Sequence, residues 1–421
     1  MYTEAACPWR RGFDLYLGGY LQGCGSAYTH VASCCTAGSP NGTADQDYVC
    51  PAPEPSDDDS DPKDYRGYDY FGEGGAVDTE VNGTNTANLL TQAAVNFLTT
   101  PGRESRPFFL YLAFQNIHAP YVTDPEFRAL YEGDPSLTEE EMTMFGYLSE
   151  MDTAVGSVVT AAGDSGLLDN MTIIFSSDNG APGATGVRDR NWPFRGYKCH
   201  AWEGGVKVSA FVHSSLLAAS LRGTESSALM HVVDWLPTIA HIAGVKASVL
   251  PPNMDGVNMW PTISSGASRG ARSEVLLNIN PLCDGGQMAH PKAALRVGQW
   301  KVSAFCYSVS GINGSNVTGP VDLGAGNYKG DSDWPKVVGD KPVALFNVEA
   351  DPGETQDLAE AEPEVLAQLL ARLAELAALS VEPQQWVKPY QGEDYECADC
   401  PLQNSTGANG PWLPWIFTAE M

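Results

Sequence analysis

Three short stretches of this sequence gather side chains that could do chemistry. Ser176-Ser177-Asp178-Asn179-Gly180 directly follows the apolar run MTIIF. Asn-Gly tolerates positive φ at both residues, so one reading is a plain hairpin turn. The other is a metal site, in which Asp178 and Asn179 offer hard oxygen ligands at the carboxyl end of a strand, where open α/β sheets place their sites. The second stretch, FQNIHAP, sets His118 just past an apolar run, as a structural histidine or as a proton carrier. The third, NWPFRGYKCHAWEGGV (191–206), combines Arg195, Lys198 and His200 with a proline and three glycines. It is either an ordinary loop with a solvated lysine or a Gly-rich, cationic loop suited to a tetrahedral oxyanion.

These residues need elements to hold them. TNTANLLTQAAVNFLTT (84–100) has apolar residues at helical spacing after polar starters. RPFFLYLAFQNIHAP (106–120) reads as a buried strand that would deliver His118. Residues 136–166 read as an amphipathic helix with Ser and Glu at its start and a Gly stop. MTIIFSSDNG and GVKVSAFVHS (205–214) read as two more buried strands. Strand, helix and strand in that order predict a parallel sheet covered on both faces. MHVVDWLPTIAHIAG (230–244) reads as a further helix. After about residue 265, EVLLNIN, AALRVGQWKVSAF and KPVALFNVEA look like antiparallel strands, and EPEVLAQLLARLAELAAL like one helix. Residues 1–75 are rich in Gly, Cys and Tyr, and the acidic, Pro-laced PEPSDDDSDPKD within them reads as a solvated loop.

The 421 residues suit two domains or one large domain with a smaller partner, and 43% hydrophobic content can build a sizeable core. Fifty-two acidic against 24 basic residues give a net charge of −28, which argues against nucleic acid and anionic membranes as partners. Ten cysteines, with N-x-S/T sequons at Asn41, Asn82, Asn170, Asn313, Asn316 and Asn404, favour an oxidising, secretory or lysosome-like compartment. Cys397 and Cys400 form a lone C-x-x-C, better suited to a disulfide than to zinc. No apolar run is long enough to span a membrane, and no signal-peptide pattern follows Met1. A secretory chain without one leads us to expect that the natural start lies upstream.

SSDNG followed by NWPFRGYKCHAWEGGV resembles the type I sulfatases, and the arylsulfatase B group in particular. CPWRRGFDLYLGGYLQG is similar to that group's segment just beyond its Gly-Lys-Trp-His-Leu-Gly motif. DWLPTI, DGVNMW, LRVGQWKV and LFNVEADPGETQDLA are similar to later sulfatase landmarks, and NGPWLPW to the closing segment of the arylsulfatase B group. The likeness spans nearly the whole chain.

The resemblance implies an α/β fold, an alkaline-phosphatase-like sandwich with a mostly parallel central sheet over residues 1–265, truncated at its N-terminus. A smaller α+β subdomain with an antiparallel sheet and a helix follows over 266–421. The implied activity is hydrolysis of a sulfate ester, on a sulfated sugar or aryl sulfate, with Ca2+ and a formylglycine made from cysteine. Asp178 and Asn179 would supply metal oxygens, Lys198 would contact the sulfate and its departing bridge oxygen, and His118 would sit at the sulfate or leaving-group oxygen. Arg188, Arg190, Arg195 and Lys198 would form a local positive funnel in an acidic surface. A Cys283–Cys306 disulfide is implied as well. The sequence also departs from the pattern. The string nearest to C-x-P-x-R is Cys7-Pro8-Trp9-Arg10-Arg11, with its proline one place early. The family's Asp-Asp metal pair is missing, and His200 stands where Ser or Thr is usual. This chain alone is therefore expected to show essentially no turnover. The alternatives are a non-catalytic binder of sulfated glycans and a phosphoryl-transfer enzyme of the same fold.

Overall fold

Helix formation follows the capping signals closely. In the computed structural model, α3 (Glu139–Asp164) opens with a complete capping box. Thr138 Oγ1 accepts the Glu141 N–H at 3.2 Å, and Glu141 Oε2 accepts the Thr138 N–H at 2.9 Å. The structure describes residues 8, 11–17, 31–35, 64–68, 84–118, 121–181, 191–198, 200–279, 291, 293–305 and 343–380. They belong to two compact units: Met1–Asp169 with Ala184–Val187 and Tyr390–Met421, and Asn170–Gly183 with Arg188–Pro389. The proposed Cys283–Cys306 pair, Cys7, Cys397, Cys400, Arg188 and Arg190 lie outside the described residues, as do all the sequons but Asn170, which is exposed.

In the first unit β1 (Val31–Cys35) pairs antiparallel with β2 (Asp64–Tyr68), from Val31 opposite Tyr68 to Cys35 opposite Asp64. Neither strand is among those read from the sequence, because five-residue strands rich in Ser, Cys, Asp and Gly carry little β signal. Helix α1 (Thr86–Leu98) starts at Asn85, whose side chain accepts the Ala87 N–H at 2.9 Å. Its buried stripe of Leu90, Ala94 and Leu98 packs on α3, and the short α2 (Pro125–Ala129) packs on α3 as well. The strand expected over 106–120 is not formed: residues 107–115 have no ladder partner among the described residues. The segment still alternates, with Phe109 and Tyr111 exposed and their neighbours half-buried. An alternating pattern fixes which side chains turn inward, but a strand also needs a neighbour.

One acidic side chain ties this unit together. Glu150 lies on the packed face of α3 and is 2% exposed. Its carboxylate accepts Asn85 Nδ2 at 2.7 Å, Asn116 Nδ2 at 3.2 Å and the Asp124 N–H at 3.4 Å. Asn116 Nδ2 also donates to the Tyr147 carbonyl at 3.0 Å. The start of α1, the turn before His118 and the entry to α2 therefore share one carboxylate.

In the second unit β3 (Thr172–Ser176) pairs with β4 (Ala210–Ser214), and the pairing is antiparallel, from Thr172 opposite Ser214 to Ser176 opposite Ala210. This corrects the local expectation of parallel strands: the described pairs are all antiparallel. An apolar run marks a buried strand without fixing the direction of its partner. Strand β4 starts at Ala210 and not at 205 because Glu203–Val206 forms a helical turn, α4.

Helix α5 (Trp235–Ile242) follows Asp234, whose side chain is fully buried. Its carboxylate accepts the His231 and Val257 N–H groups, each at 2.8 Å, and Arg272 Nε and Nη2 at 2.7 and 2.5 Å. Thr238 Oγ1 accepts the Met259 N–H at 2.8 Å, which docks α6 (Trp260–Ser265). Beyond it, β5 (Glu274–Ile279), β6 (Ala293–Val297), β7 (Trp300–Ala304) and β8 (Val343–Asn347) form one antiparallel sheet in that order. Helix α7 (Pro363–Leu379) covers one face, closing a core of Leu295, Val302, Leu345, Leu369 and Leu373. The other face packs Phe305 and Phe346 on Trp202. This part matches the sequence reading closely, since period-2 strands and an amphipathic helix are local signals.

Two predictions follow from the buried carboxylates. Burial pushes the Glu150 carboxyl above its ordinary value of 4.5; donors from Asn85, Asp124 and Asn116 oppose this, and the charge of Asp124 adds to it. A raised folded value means that protonation stabilises the fold, so this contribution is full below 4.5 and is lost as pH rises through the folded value. Denaturant titrations at several pH values are expected to show the wild type gaining on Glu150→Gln as pH falls from neutrality towards 4.5. For Asp234 burial pushes upward, yet hydrogen bonds from Arg272 and two backbone amides outweigh it and keep the carboxyl below its usual range. Arg272→Met strands that charge and is expected to cost about 3–5 kcal/mol in urea unfolding.

Candidate functional site

The Asn-Gly pair after β3 is not a hairpin turn. Neither Asn179 nor Gly180 has positive φ, and the partner strand β4 arrives only at Ala210. The chain instead runs on into a lattice of backbone contacts. The Ser177 N–H donates to the Ser209 carbonyl at 3.0 Å, and the Gly180 N–H to the Gly205 carbonyl at 3.1 Å. Gly180 is obligatory here, because a Cβ would fall 1.7 Å from the Gly204 carbonyl oxygen. Asn179 Nδ2 donates to its neighbour's carbonyl at 2.9 Å, leaving the carboxamide oxygen as the group Asn179 can offer a cation. Asp178 is exposed and accepts the Asn179 N–H at 2.8 Å.

The 191–206 loop is laced to this strand end. Asn191 Oδ1 accepts the Ala181 N–H at 2.9 Å, and its Nδ2 lies 3.1 Å from both the Ala181 and Gly196 carbonyls. The Lys198 N–H donates to the same Ala181 carbonyl at 3.0 Å. A further bond, from the Gly204 N–H to the Arg195 carbonyl at 2.7 Å, closes the loop on itself. At Gly196 the backbone takes φ +79° with Trp202 packed against it, so only glycine fits.

The backbone at Lys198 is thus fixed against the strand end that bears Asp178 and Asn179, with Asp178 exposed and the other two half-buried. His118 belongs to the first unit, where it is exposed and its N–H donates to the Gln115 carbonyl at 2.9 Å. Arg195 does not join a positive funnel. It is 9% exposed, with its guanidinium 4.9 Å over the Trp202 ring and Nη1 donating to the Glu354 carbonyl at 3.0 Å. Among the described residues no three His, Cys, Asp or Glu side chains converge as a metal cluster. One carboxylate and one amide oxygen suit a hard divalent cation in type but make up only part of the shell of about 6–8 oxygens that calcium takes.

Sequence reasoning missed the buried trio of Glu203, within this loop, and Lys301 and Glu354. Lys301 Nζ lies 3.0 Å from Glu203 Oε1 and 2.9 Å from Glu354 Oε1. A signal was available: Lys301 sits in the apolar strand β7, where a charge without a partner would not be tolerated.

Comparison with known proteins gives the chain its family. The sulfatase family profile matches residues 23–245. The chain is 29% identical to arylsulfatase J of Mus musculus over 98% of its own length and 62% of that protein's. It is 31% identical to steryl-sulfatase of Mus musculus over 66% of its length and 42% of that protein's. Arylsulfatase A of Homo sapiens is 29% identical over 69% of this chain and 53% of its own. The chain thus spans less than two thirds of the length of these relatives. The crystal structure of Ps i-CgsB superposes with a TM-score of 0.62 at 22% identity, covering 91% of this chain and 70% of that one. The yidJ sulfatase structure from Bacteroides fragilis gives 0.52 at 13% identity. The fold class is therefore α/β, of the alkaline-phosphatase-like sulfatase type. With the family's profile covering more than half its residues, this chain belongs to the sulfatases, the hydrolases of sulfate esters.

Proposed function

We propose that this chain serves a sulfuric ester hydrolase of the arylsulfatase B type, acting on a sulfated sugar or an aryl sulfate. The observation that carries the reading is the shared Ala181 carbonyl, which Lys198 and Asn191 both bond, so that a cationic loop is fixed against the strand end bearing Asp178 and Asn179. The Asp178 carboxylate and the Asn179 amide oxygen are the groups that would hold Ca2+. A bound divalent ion supplies positive charge that offsets the negative charge developing on sulfate oxygens. Lys198 places its ammonium toward the sulfate and steadies the bridge oxygen as it departs. His118 acts at the sulfate or leaving-group oxygen. Residues 1–265 form the catalytic domain and 266–421 its C-terminal subdomain. The cysteines and sequons support a secretory or lysosome-like setting, and no helix among the described residues is long and apolar enough to cross a membrane.

The alternative reading is a non-catalytic binder of sulfated glycans. The two part on kinetics. In a form of the protein that also supplies a formylglycine, turnover of an aryl sulfate is expected; a form that binds sulfate without turnover supports the binder.

Two measurements test the assigned residues. Calorimetric titration of the 421-residue chain with calcium is expected to give a Kd nearer millimolar than nanomolar, since affinity tracks ligand number and charge. Tight binding would mean that other carboxylates complete the site. In the turnover-competent form Lys198→Ala is expected to depress kcat by about 10²–10³ with an unchanged thermal midpoint. Lys198→Arg is expected not to restore it, because a planar fork does not replace a compact charge. Near-normal kcat in the alanine variant would remove Lys198 from the site.

A further inference from the structure

Glu354 combines three features that packing alone does not explain. It is fully buried, and among the described residues it is the non-glycine residue with positive φ, at 51°. Such a backbone is strained and persists only where its surroundings impose it. Glu354 also faces a buried lysine, and a buried ion pair is poor at adding stability, since apolar side chains of the same volume often do as well. What the arrangement does supply is placement. Glu354 Oε2 accepts the Glu203 N–H at 2.7 Å, and the Glu354 carbonyl accepts Arg195 Nη1 at 3.0 Å. One residue therefore bonds both ends of the 195–203 segment, and Lys198 lies between them. Lys301 holds the carboxylates of Glu354 and Glu203 at 2.9 and 3.0 Å, with Arg296 Nη1 3.6 Å from Glu203 Oε2.

We propose that Glu354 is a positioning residue for Lys198, clamping the 195–203 loop at both ends while Lys301 fixes its carboxylate. This unites LRVGQWKV and LFNVEADPGETQDLA, two stretches to which no chemistry is otherwise assigned, with the WEGG end of the cationic loop in one device. It rests on the reading of Lys198 as the sulfate contact.

The test is backbone amide hydrogen exchange on the 421-residue chain and its Glu354→Ala, Glu354→Asp and Glu354→Gln variants. Removing the acceptor of the Glu203 N–H is expected to speed exchange at Lys198, Glu203 and Gly204 in Glu354→Ala about tenfold or more beyond any rise at the amides of β6, β7 and α7. Glu354→Gln keeps an acceptor oxygen and is expected to restore most of that protection. Should the alanine variant fail to fold, Glu354→Asp carries the test: it keeps the charge and tolerates positive φ, but withdraws the oxygen from Glu203. Unchanged rates at 198–204, or an equal rise throughout β5–β8 and α7, overturn the proposal. Titration with sodium sulfate separates the two claims. Local loosening that weakens sulfate binding as Lys198→Ala does supports both. Local loosening beside a Lys198→Ala variant with wild-type sulfate affinity supports the clamp and overturns the sulfate reading.

Discussion

A lysine ammonium with no exposed surface sets the terms for the second unit. Lys301 projects from β7 onto the face of the sheet opposite α7, and an unpaired charge there would cost several kcal/mol. Two carboxylates from distant parts of the sequence must therefore reach it. Burial pushes Glu203 upward, but Lys301 and then Arg296 outweigh it and hold the carboxyl below its usual range. Burial also pushes Glu354 upward and there it prevails: Lys301 opposes it, and Glu203 adds to it. Two carboxylates sharing one principal cation titrate as a pair, one ionising easily and the other reluctantly.

The sheet that carries Lys301 reaches this point through its alternation. Val302 and Ala304 face α7, whereas Lys301 and Phe305 face the other way, where Trp202 packs on Phe305 and Phe346. A one-residue slip of β7 would exchange the two sets and put the ammonium into the helix-facing core. Register in a strand far along the sequence thus decides whether the 195–203 loop has anything to bind.

Asp234, Glu203 and Glu150 show three ways of handling a buried carboxylate. Asp234 meets a bidentate arginine and stays readily ionised. Glu203 shares a lysine. Glu150 is held by carboxamide and backbone N–H groups, and its carboxyl is pushed upward. Each joins segments that local interactions would leave independent. The choice of partner sets the response to pH: the first two contributions weaken as pH falls, and that of Glu150 strengthens.

Much of the fold was legible in the sequence, because its signals were local. The capping box of α3, the stripe of α7 and the alternation of β5 to β8 are short-range patterns read directly from residue types. The candidate residues Asp178, Asn179 and Lys198 were legible through their motifs, although Asp-Asn-Gly by itself suited a hairpin equally well. Tertiary structure decided what depends on a partner. It paired β3 with β4 antiparallel, denied the 107–115 segment a described neighbour, and turned Arg195 inward onto Trp202. It also brought Glu203, Lys301 and Glu354 into contact across separations that no local pattern encodes. A sequence states which side chains cannot stand alone in an apolar interior; only the packed chain determines which partners reach them.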